Sequence, residues 1–215
     1  MKAISLLSGG KDSFLATLIA MEQGFEVISA ITVLPNEDSM MFHVPNAKLA
    51  KYVGELIDLK TIFCRESEFE NIIDRFAKEN PGIALINGAI ASNYQRNKLE
   101  MICTNHEMLC YSPLWRVSQA TVMDELIQKG IKPIIVAVAA DGLDEKFLGR
   151  EINEETINML KLLEKQYGLN ITGEGGEYES FVTCYGSRTL EITNYRKTFS
   201  GSSGVLMIDH IKKNF

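Results

Sequence analysis

The sequence predicts an α/β fold in which a parallel, doubly wound, Rossmann-like sheet is followed by a smaller C-terminal α+β region. In the first half, short apolar segments alternate with segments of helical periodicity. Strands separated by helices of this length favour right-handed crossovers and a parallel sheet covered on both faces. After Gly173 the chain contains strand and turn patterns only. With 215 residues, of which 46% are hydrophobic, the chain can form an extensive core.

The elements of the first half follow from the apolar patterns and from the residues that interrupt them. Gly24 ends the first helical pattern, and Pro81 with Gly82 ends the third. Strands are predicted at 2–7, 25–34, 61–64 and 83–87, and helices at 13–23, 47–56 and 68–78.

The second half is less regular. Helices are predicted at 93–105, 119–129 and 154–167, and strands at 133–139, 180–185, 189–195 and 204–211. The strand at 133–139 can still extend the parallel sheet. We therefore expect two domains, 1–100 and 101–215, with a soft boundary near residue 100 and no linker to mark it.

Charge and cysteine spacing argue against several classes of protein. The net charge of −6 argues against a chain that holds nucleic acid by bulk electrostatics. The cysteines form no CxxC pair, so buried free thiols are expected rather than a zinc site. No export signal follows Met1, and the longest apolar run, 134–140, is too short to span a bilayer. We expect a cytoplasmic protein without a membrane or nucleic-acid partner.

The most informative segment lies between the first strand and the first helix. It reads Ser-Gly-Gly-Lys-Asp-Ser over residues 8–13. Its glycines let the backbone approach an anion, its serines and lysine add donors and charge, and the helix N-terminus attracts phosphate. We interpret the segment as a polyphosphate cradle. The alternative is a helix N-cap that happens to contain two glycines.

This segment differs from two common phosphate-binding loops. Asp12 follows the lysine where a Walker A loop has Ser or Thr, and Ser5 stands where that loop has its first glycine. Gly9 and Gly10 also lack the GxGxxG spacing of the dinucleotide fingerprint.

Two further segments follow predicted strands. Gly88 begins a turn into a helix whose first residues, Asn93 to Arg96, can hydrogen-bond a ligand. The alternative is a Ser-capped helix with a solvated first turn. Trp115, the only tryptophan, precedes Arg116, which can hold a carboxylate through two hydrogen bonds. A lone tryptophan is otherwise usually a core residue.

A third segment, residues 173–180, contains three glycines and three glutamates, and we call it the acidic turn. Such a turn can be merely solvated. Alternatively, it is a rigid loop that presents carboxylates and N–H groups to a cation, an ammonium group or Mg²⁺. Because glycine loses much entropy on folding, we favour a ligand role and expect this turn to face the same pocket as the phosphate loop.

These motifs together resemble a known family. SGGKDS resembles the pyrophosphate loop of the ATP pyrophosphatase (PP-loop) superfamily. With GAIxSxYQR, PLWR, GLxxxxLGR and GEGGEYES, the chain resembles the diphthine–ammonia ligases, or diphthamide synthases, in their short archaeal-type form. The chain departs from the pattern at residues 117–119, where Val-Ser-Gln replaces the expected Arg-Asp-Gln.

The resemblance implies a HUP-type, Rossmann-like fold and an AMP-forming ligase reaction. ATP would adenylate the carboxylate of diphthine on elongation factor 2, and ammonia would displace AMP in the last step of diphthamide synthesis. Residues 1–100 would form the PP-loop ATP-binding domain, and residues 101–215 would complete the substrate site. ATP and Mg²⁺ would be the cofactors, and a homodimer is allowed.

The resemblance also assigns roles to individual residues. The implied catalytic residues are Asp12, Glu174, Glu177 and Glu179, with Asp12 also the metal ligand. The implied ATP-binding residues are Ser8, Gly9, Gly10, Lys11, Asp12, Ser13 and Gly88. The implied substrate-binding residues are Asn93, Tyr94, Gln95, Arg96, Trp115, Arg116, Gly176 and Tyr178.

Three other functions stay open at this point. One is a tRNA-modifying adenylating enzyme, although paired catalytic cysteines and a basic face are not visible. Another is a PP-loop amidoligase that acts on a small carboxylate. The third is a nucleotide-binding sensor without catalysis, against which the acidic turn argues.

Overall fold

The computed structural model describes residues 1–34 and 45–215 and divides into two compact units. The first unit is Met1–Arg116 and the second is Val117–Phe215. Each unit has its own sheet.

The sheet of the first unit is parallel throughout, which confirms the predicted fold class. Its strands run in the order β3-β2-β1-β4-β5. The strands are β1 (Lys2–Leu6), β2 (Glu26–Leu34), β3 (Thr61–Arg65), β4 (Ala84–Ile86) and β5 (Leu109–Tyr111). The order reverses between β1 and β4, and at such a switch point ligands bind outside the carboxyl ends of the strands. The segments after β1 and β4 both carry predicted site residues.

The described residues of this unit form four α-helices. They are α1 (Lys11–Glu22), α2 (Ala50–Glu55), α3 (Phe69–Glu79) and α4 (Asn93–Asn105). Successive strand residues point to opposite faces. On one face, Ile4 and Leu85 join a buried cluster with Ile73 of α3 and Leu99 of α4. On the other, Ser5 of β1 contacts α1 through a hydrogen bond.

The second unit contains α5 (Gln119–Gln128), α6 (Glu154–Tyr167) and four antiparallel strands. The strands are β6 (Lys132–Val138), β7 (Tyr178–Tyr185), β8 (Arg188–Ser200) and β9 (Ser203–Asn214). They close in the order β6-β7-β8-β9, because β9 also pairs with β6. Both helices begin at side-chain caps: Ser118 accepts from the Thr121 N–H, and Asn153 from the Thr156 N–H.

Two expectations about the second half need correction. The strand predicted at 133–139 does not extend the parallel sheet. As β6 it pairs antiparallel with β7 and β9. The boundary expected near residue 100 falls inside α4, whereas the first unit extends to Arg116. The physical reason is that β5 pairs with β4, so α4 and β5 complete the first sheet.

Among the described residues, the structure contains no helix that is both long and apolar enough to cross a bilayer.

A core substitution tests the sheet packing directly. Leu85 of β4 is fully buried, so Leu85→Ala should lower the free energy of unfolding by about 2–5 kcal/mol. Leu109 of β5 is 45% exposed, and Leu109→Ala should cost less than about 1 kcal/mol. Urea unfolding of both variants measures the difference. Equal losses would contradict the assignment of Leu85 to the core.

Candidate active site

The loop at residues 8–13 follows Leu7, which comes directly after β1 and is hydrogen-bonded to β2. Leu7 donates its N–H to the Ile31 carbonyl at 2.9 Å, and the Thr32 hydroxyl donates to the Leu7 carbonyl at 2.5 Å. Gly9 then adopts a φ of +91°, in the left-handed region that favours glycine. The chain thereby turns sharply from the strand into α1.

The two serines of the loop hold the loop itself. Ser13 Oγ donates to the Gly10 carbonyl at 3.0 Å and accepts from the Ser8 N–H at 3.2 Å. Ser8 Oγ lies 3.0 Å from Ser13 Oγ and accepts from the Gly10 N–H at 3.3 Å. The hydroxyls expected to serve a phosphate therefore first fix the backbone of the cradle.

A second polar chain fixes α1 over the end of β1. The Thr17 hydroxyl donates to the Ser13 carbonyl at 2.7 Å, and Ser5 Oγ lies 2.6 Å from Thr17 Oγ1. Since Thr17 has only one hydroxyl hydrogen, Ser5 is the donor in the second bond. Both side chains are fully buried, so this chain fixes the position of the helix N-terminus.

The N-terminus of α1 is suited to an anion. The N-cap residue is Gly10, which has no side chain to cap the helix. Within the described residues, no acceptor takes the N–H of Asp12 or of Ser13. Unsatisfied N–H groups at the positive end of the helix dipole form a ready anion site.

Lys11 and Asp12 form an ion pair in the first turn of this helix. Lys11 is only 2% exposed, and its Nζ lies 2.8 Å and 3.0 Å from the two carboxylate oxygens of Asp12. A buried ammonium needs such a partner because transferring a charge from water into the protein interior costs free energy. In this arrangement, the predicted phosphate ligand and the predicted metal ligand neutralise each other.

Gly88 is required by packing. A Cβ at this position would lie 2.7 Å from Asp12 C and from Ser13 N, which are backbone atoms of α1. The turn after β4 can therefore lie against the helix N-terminus only because residue 88 has no side chain. The role assigned to Gly88 as an ATP contact stays a prediction.

Asn87 is a further candidate site residue, one that the sequence motifs did not indicate. It is 2% exposed, and its Nδ2 donates to the Ser112 hydroxyl at 2.8 Å, while its Oδ1 accepts from the Ala89 N–H at 3.2 Å. It thus joins the segments that follow β4 and β5. A polar residue directly after the apolar run 83–86 was the available signal.

The structure brings together three of the residues predicted to bind substrate. The guanidinium carbon of Arg96 lies 4.5 Å from the Trp115 ring centroid, and that of Arg116 lies 5.8 Å from it. Arg96 also pairs with Glu100, with its Nε 2.6 Å from Oε1. We call Arg96, Trp115 and Arg116 the Arg–Trp cluster.

Hydrogen bonds fix the chain segments that carry the Arg–Trp cluster. Arg116 has a φ of +58° and donates its N–H to the Ile90 carbonyl at 2.8 Å. Ser92 caps α4 by accepting from the Gln95 N–H at 3.4 Å. Asn93 and Tyr94 in the first turn are exposed, so they are open to a ligand but are not held towards the cluster by any hydrogen bond between described residues.

In the second unit, Glu177 holds the acidic turn together. Its Oε1 accepts from the N–H and the Nδ2 of Asn170, at 3.0 Å and 2.5 Å, and its Oε2 accepts from the Gly175 N–H at 2.8 Å. Gln119 supports Asn170 by donating to its Oδ1 at 2.8 Å. The carboxylate of Glu177 therefore joins Asn170 to Gly175 through three hydrogen bonds, and we call this set of contacts the clamp.

Tyr178 is also part of this clamp. The residue is 3% exposed, and its hydroxyl donates to the Ile171 carbonyl at 2.7 Å. Its ring packs on Gly173, where a Cβ would lie 3.0 Å from Cε1 and 2.7 Å from the Tyr178 carbonyl oxygen. Gly176 has a φ of +85° and closes the turn by donating its N–H to the Gly173 carbonyl at 3.0 Å.

Glu174 and Glu179 flank the clamp and are both half-buried. Glu179 lies in β7 opposite Ala137 of β6. Within the described part of the chain, no three His, Cys, Asp or Glu side chains are grouped so that they could hold a metal ion. Any magnesium site would therefore depend on few carboxylates together with ligand oxygens, which is usual for Mg²⁺.

Comparisons with known proteins agree along both units. Residues 1–109 match the family model described as the diphthamide synthase N-terminal domain, and residues 118–214 match that of the diphthamide synthase C-terminal domain. Proteins named diphthine–ammonia ligase from mouse and zebrafish are each 31% identical to this chain over 210 residues. The alignments cover 85% of this chain and 78% and 82% of those proteins.

A solved structure, described as a predicted subunit of tRNA methyltransferase from Methanocaldococcus jannaschii, aligns with a TM-score of 0.47. The two are 14% identical, and the alignment covers 86% of this chain and 98% of that one. A likeness at this level carries no argument about function. The two family models, which together span nearly the whole sequence, and the 31% identity to the mouse and zebrafish proteins show that this chain belongs to the diphthamide synthase family.

Proposed function

We propose that this protein is a diphthine–ammonia ligase that amidates the carboxylate of diphthine on elongation factor 2. A carboxylate oxygen attacks the α-phosphorus of ATP, and pyrophosphate leaves. Ammonia then attacks the acyl carbon of the adenylate, and AMP leaves as the amide forms.

One observation carries this proposal. The family match covers both units. The segment that resembles the family's pyrophosphate loop leads into the Gly-capped N-terminus of α1, at the switch point of a parallel sheet. Such an edge is where α/β proteins bind nucleotides. A kinase-type Walker A loop is not present in this segment.

The loop at residues 8–13 would hold the β- and γ-phosphates of ATP. The N–H groups of Asp12 and Ser13 supply donors, and the buried Lys11 supplies charge. A phosphate oxygen beside Lys11 would compete with Asp12 for the ammonium. Asp12 would then be available as a ligand for Mg²⁺, which would offset negative charge on the phosphates.

The Arg–Trp cluster would bind the diphthine end of the protein substrate. Guanidinium groups pair with carboxylates, and an aromatic face attracts a quaternary ammonium group such as the trimethylammonio group of diphthine. Because Arg96 is held by Glu100 and by the Trp115 ring, it would meet the substrate already ordered. Asn93, Tyr94 and Gln95 would line the same end of α4.

The acidic turn would act on the same substrate. Glu174 and Glu179 would stabilise ammonium or the trimethylammonio group electrostatically and accept a proton as the amine attacks. Glu177 would position these groups by keeping the turn rigid, since its carboxylate already accepts three hydrogen bonds.

Turnover should produce AMP and pyrophosphate. This is expected because the loop holds the terminal phosphates and leaves the α-phosphorus open to attack. Chromatography of the nucleotide products, with ATP, ammonia and diphthine-bearing elongation factor 2, measures the outcome. ADP and inorganic phosphate as sole products would contradict the reaction.

Removal of the Lys11 charge should weaken ATP binding. Lys11→Met keeps most of the buried volume but deletes the ammonium, so the Kd for ATP should rise tenfold or more, about 1.4 kcal/mol. Calorimetry measures the affinity, and thermal unfolding verifies that the variant is folded. The matched control is Lys60→Met, at an exposed lysine, which should bind ATP normally. Unchanged affinity in folded Lys11→Met would reject the loop as the ATP site.

Substitutions in the acidic turn should lower the rate of amidation more than they lower the affinity for ATP. Glu177→Gln and Glu179→Gln should each lower the rate of amide formation by about 100-fold and leave ATP affinity nearly unchanged. Glu177→Gln should also lower the free energy of unfolding by about 1–3 kcal/mol, because an amide cannot accept from all three donors.

The control for this pair is Glu164→Gln, at an exposed position of α6. It should behave as the unaltered protein in rate and in stability. If Glu177→Gln and Glu179→Gln also kept normal rates, the turn would have no part in the reaction.

A further inference from the structure

Asn87 follows β4 directly, and its neighbours fix the orientation of its side-chain amide. Its Oδ1 accepts from the Ala89 N–H at 3.2 Å, and its Nδ2 donates to the Tyr111 carbonyl at 3.4 Å. Because an N–H group can only donate and a carbonyl oxygen can only accept, one amide orientation serves both contacts. The Ser112 hydroxyl oxygen lies 2.8 Å from Nδ2 and 3.1 Å from Oδ1. This buried amide therefore links the turn after β4 to the turn after β5.

The chain segment that ends in Trp115 and Arg116 is held at both of its ends. At its start, the Trp115 N–H donates to the Ser112 carbonyl at 3.1 Å, which closes a turn. At its end, the Arg116 N–H donates to the Ile90 carbonyl at 2.8 Å. Ser112 contacts the Asn87 amide directly, and Ile90 belongs to the turn whose backbone that amide accepts from. Both anchors of the segment therefore depend on one side chain.

The backbone of Arg116 requires such anchors. Its φ of +58° lies in the left-handed region, which is unfavourable for a residue with a Cβ. Strain of this kind persists only where surrounding contacts impose it, and it concentrates at ligand sites. Leu114 is 2% exposed and anchors the middle of the segment in the apolar interior. An apolar contact has no direction, however, so the hydrogen-bonded ends must orient Trp115 and Arg116.

We propose that Asn87 is the positioning residue of the Arg–Trp cluster, which sets where Trp115 and Arg116 lie relative to Arg96. The inference rests on the proposed function in one respect, namely that this cluster binds the diphthine end of the substrate. Arg96 belongs to α4, whose N-terminus is capped separately by Ser92. Loss of the Asn87 contacts would therefore move the Trp115 ring away from the Arg96 guanidinium while α4 stays in place.

Trp115 is the only tryptophan of the chain, so its fluorescence reports on the cluster without any substrate. Asn87→Ala deletes every side-chain contact of the amide, and Ser112→Ala deletes one of them at a half-buried position. Both variants should shift the Trp115 emission to longer wavelength and increase its quenching by acrylamide, because water reaches a ring that is less firmly held. Ser112→Thr keeps the hydroxyl and should behave as the unaltered protein.

Two controls separate positioning from a general loss of stability. Ile73→Val shortens a fully buried side chain of α3, and Ser187→Ala deletes a hydroxyl at an exposed turn. Thermal unfolding measures the stability of each variant, and neither control should change the emission or the quenching of Trp115 in the folded protein. Unchanged emission and quenching in folded Asn87→Ala would overturn the proposal. If Asn87→Ala does not fold, the same result in Ser112→Ala overturns it.

Kinetics with diphthine-bearing elongation factor 2 extend the test to the reaction. Ser112→Ala should raise the KM for this protein substrate by about tenfold or more and change kcat less, while the Kd for ATP stays within about twofold. An equal rise in the Kd for ATP would indicate that the whole edge of the sheet has loosened, and would overturn the proposal. A changed Trp115 emission with an unchanged KM would support the positioning role of Asn87 and reject the cluster as the substrate site, so the two failures are distinguishable.

Discussion

The contact between residue 88 and the N-terminus of α1 is the constraint on which the first unit's site depends. Because the strand order reverses between β1 and β4, the loops that follow these strands leave the sheet side by side. A Cβ at residue 88 would collide with the backbone of Asp12 and Ser13. Glycine there lets the two loops meet, and the Ser5–Thr17 hydrogen bond holds α1 so that its first N–H groups stay at this edge.

The polar groups around this edge are mostly satisfied within the protein. Ser8 and Ser13 bind each other, Lys11 binds Asp12, and Asn87 joins two loops. Such satisfaction fixes the site before a ligand arrives, which lowers the entropy lost on binding. The Lys11–Asp12 ion pair differs from the serine contacts because, in the proposed mechanism, a phosphate would take the place of its carboxylate. Under that proposal, ligand binding and charge rearrangement would be linked at this one pair.

Much of the first unit could be predicted from sequence because its signals are local. Gly24, Pro81 and the apolar periodicity mark the elements, and residues 8–13 carry their chemistry in consecutive positions. The partner of β6 could not be predicted in this way. An apolar run predicts a strand but does not specify its pairing, and β7 lies some forty residues further along the chain. The boundary after Arg116 was missed because β5 has only three residues. The clamp role of Glu177 depends on Asn170 and Gly175, a set of contacts that composition alone does not reveal.

Adenylation of the substrate carboxylate is the central claim, and isotope transfer tests it most directly. Elongation factor 2 bearing diphthine with an ¹⁸O-labelled carboxylate would be amidated in a single turnover, and the AMP would be analysed by mass spectrometry. If the carboxylate attacks the α-phosphorus, each AMP formed carries one ¹⁸O atom in its phosphate. Label found in inorganic phosphate instead, or AMP without label, would contradict an acyl-adenylate and the role given to the loop at residues 8–13.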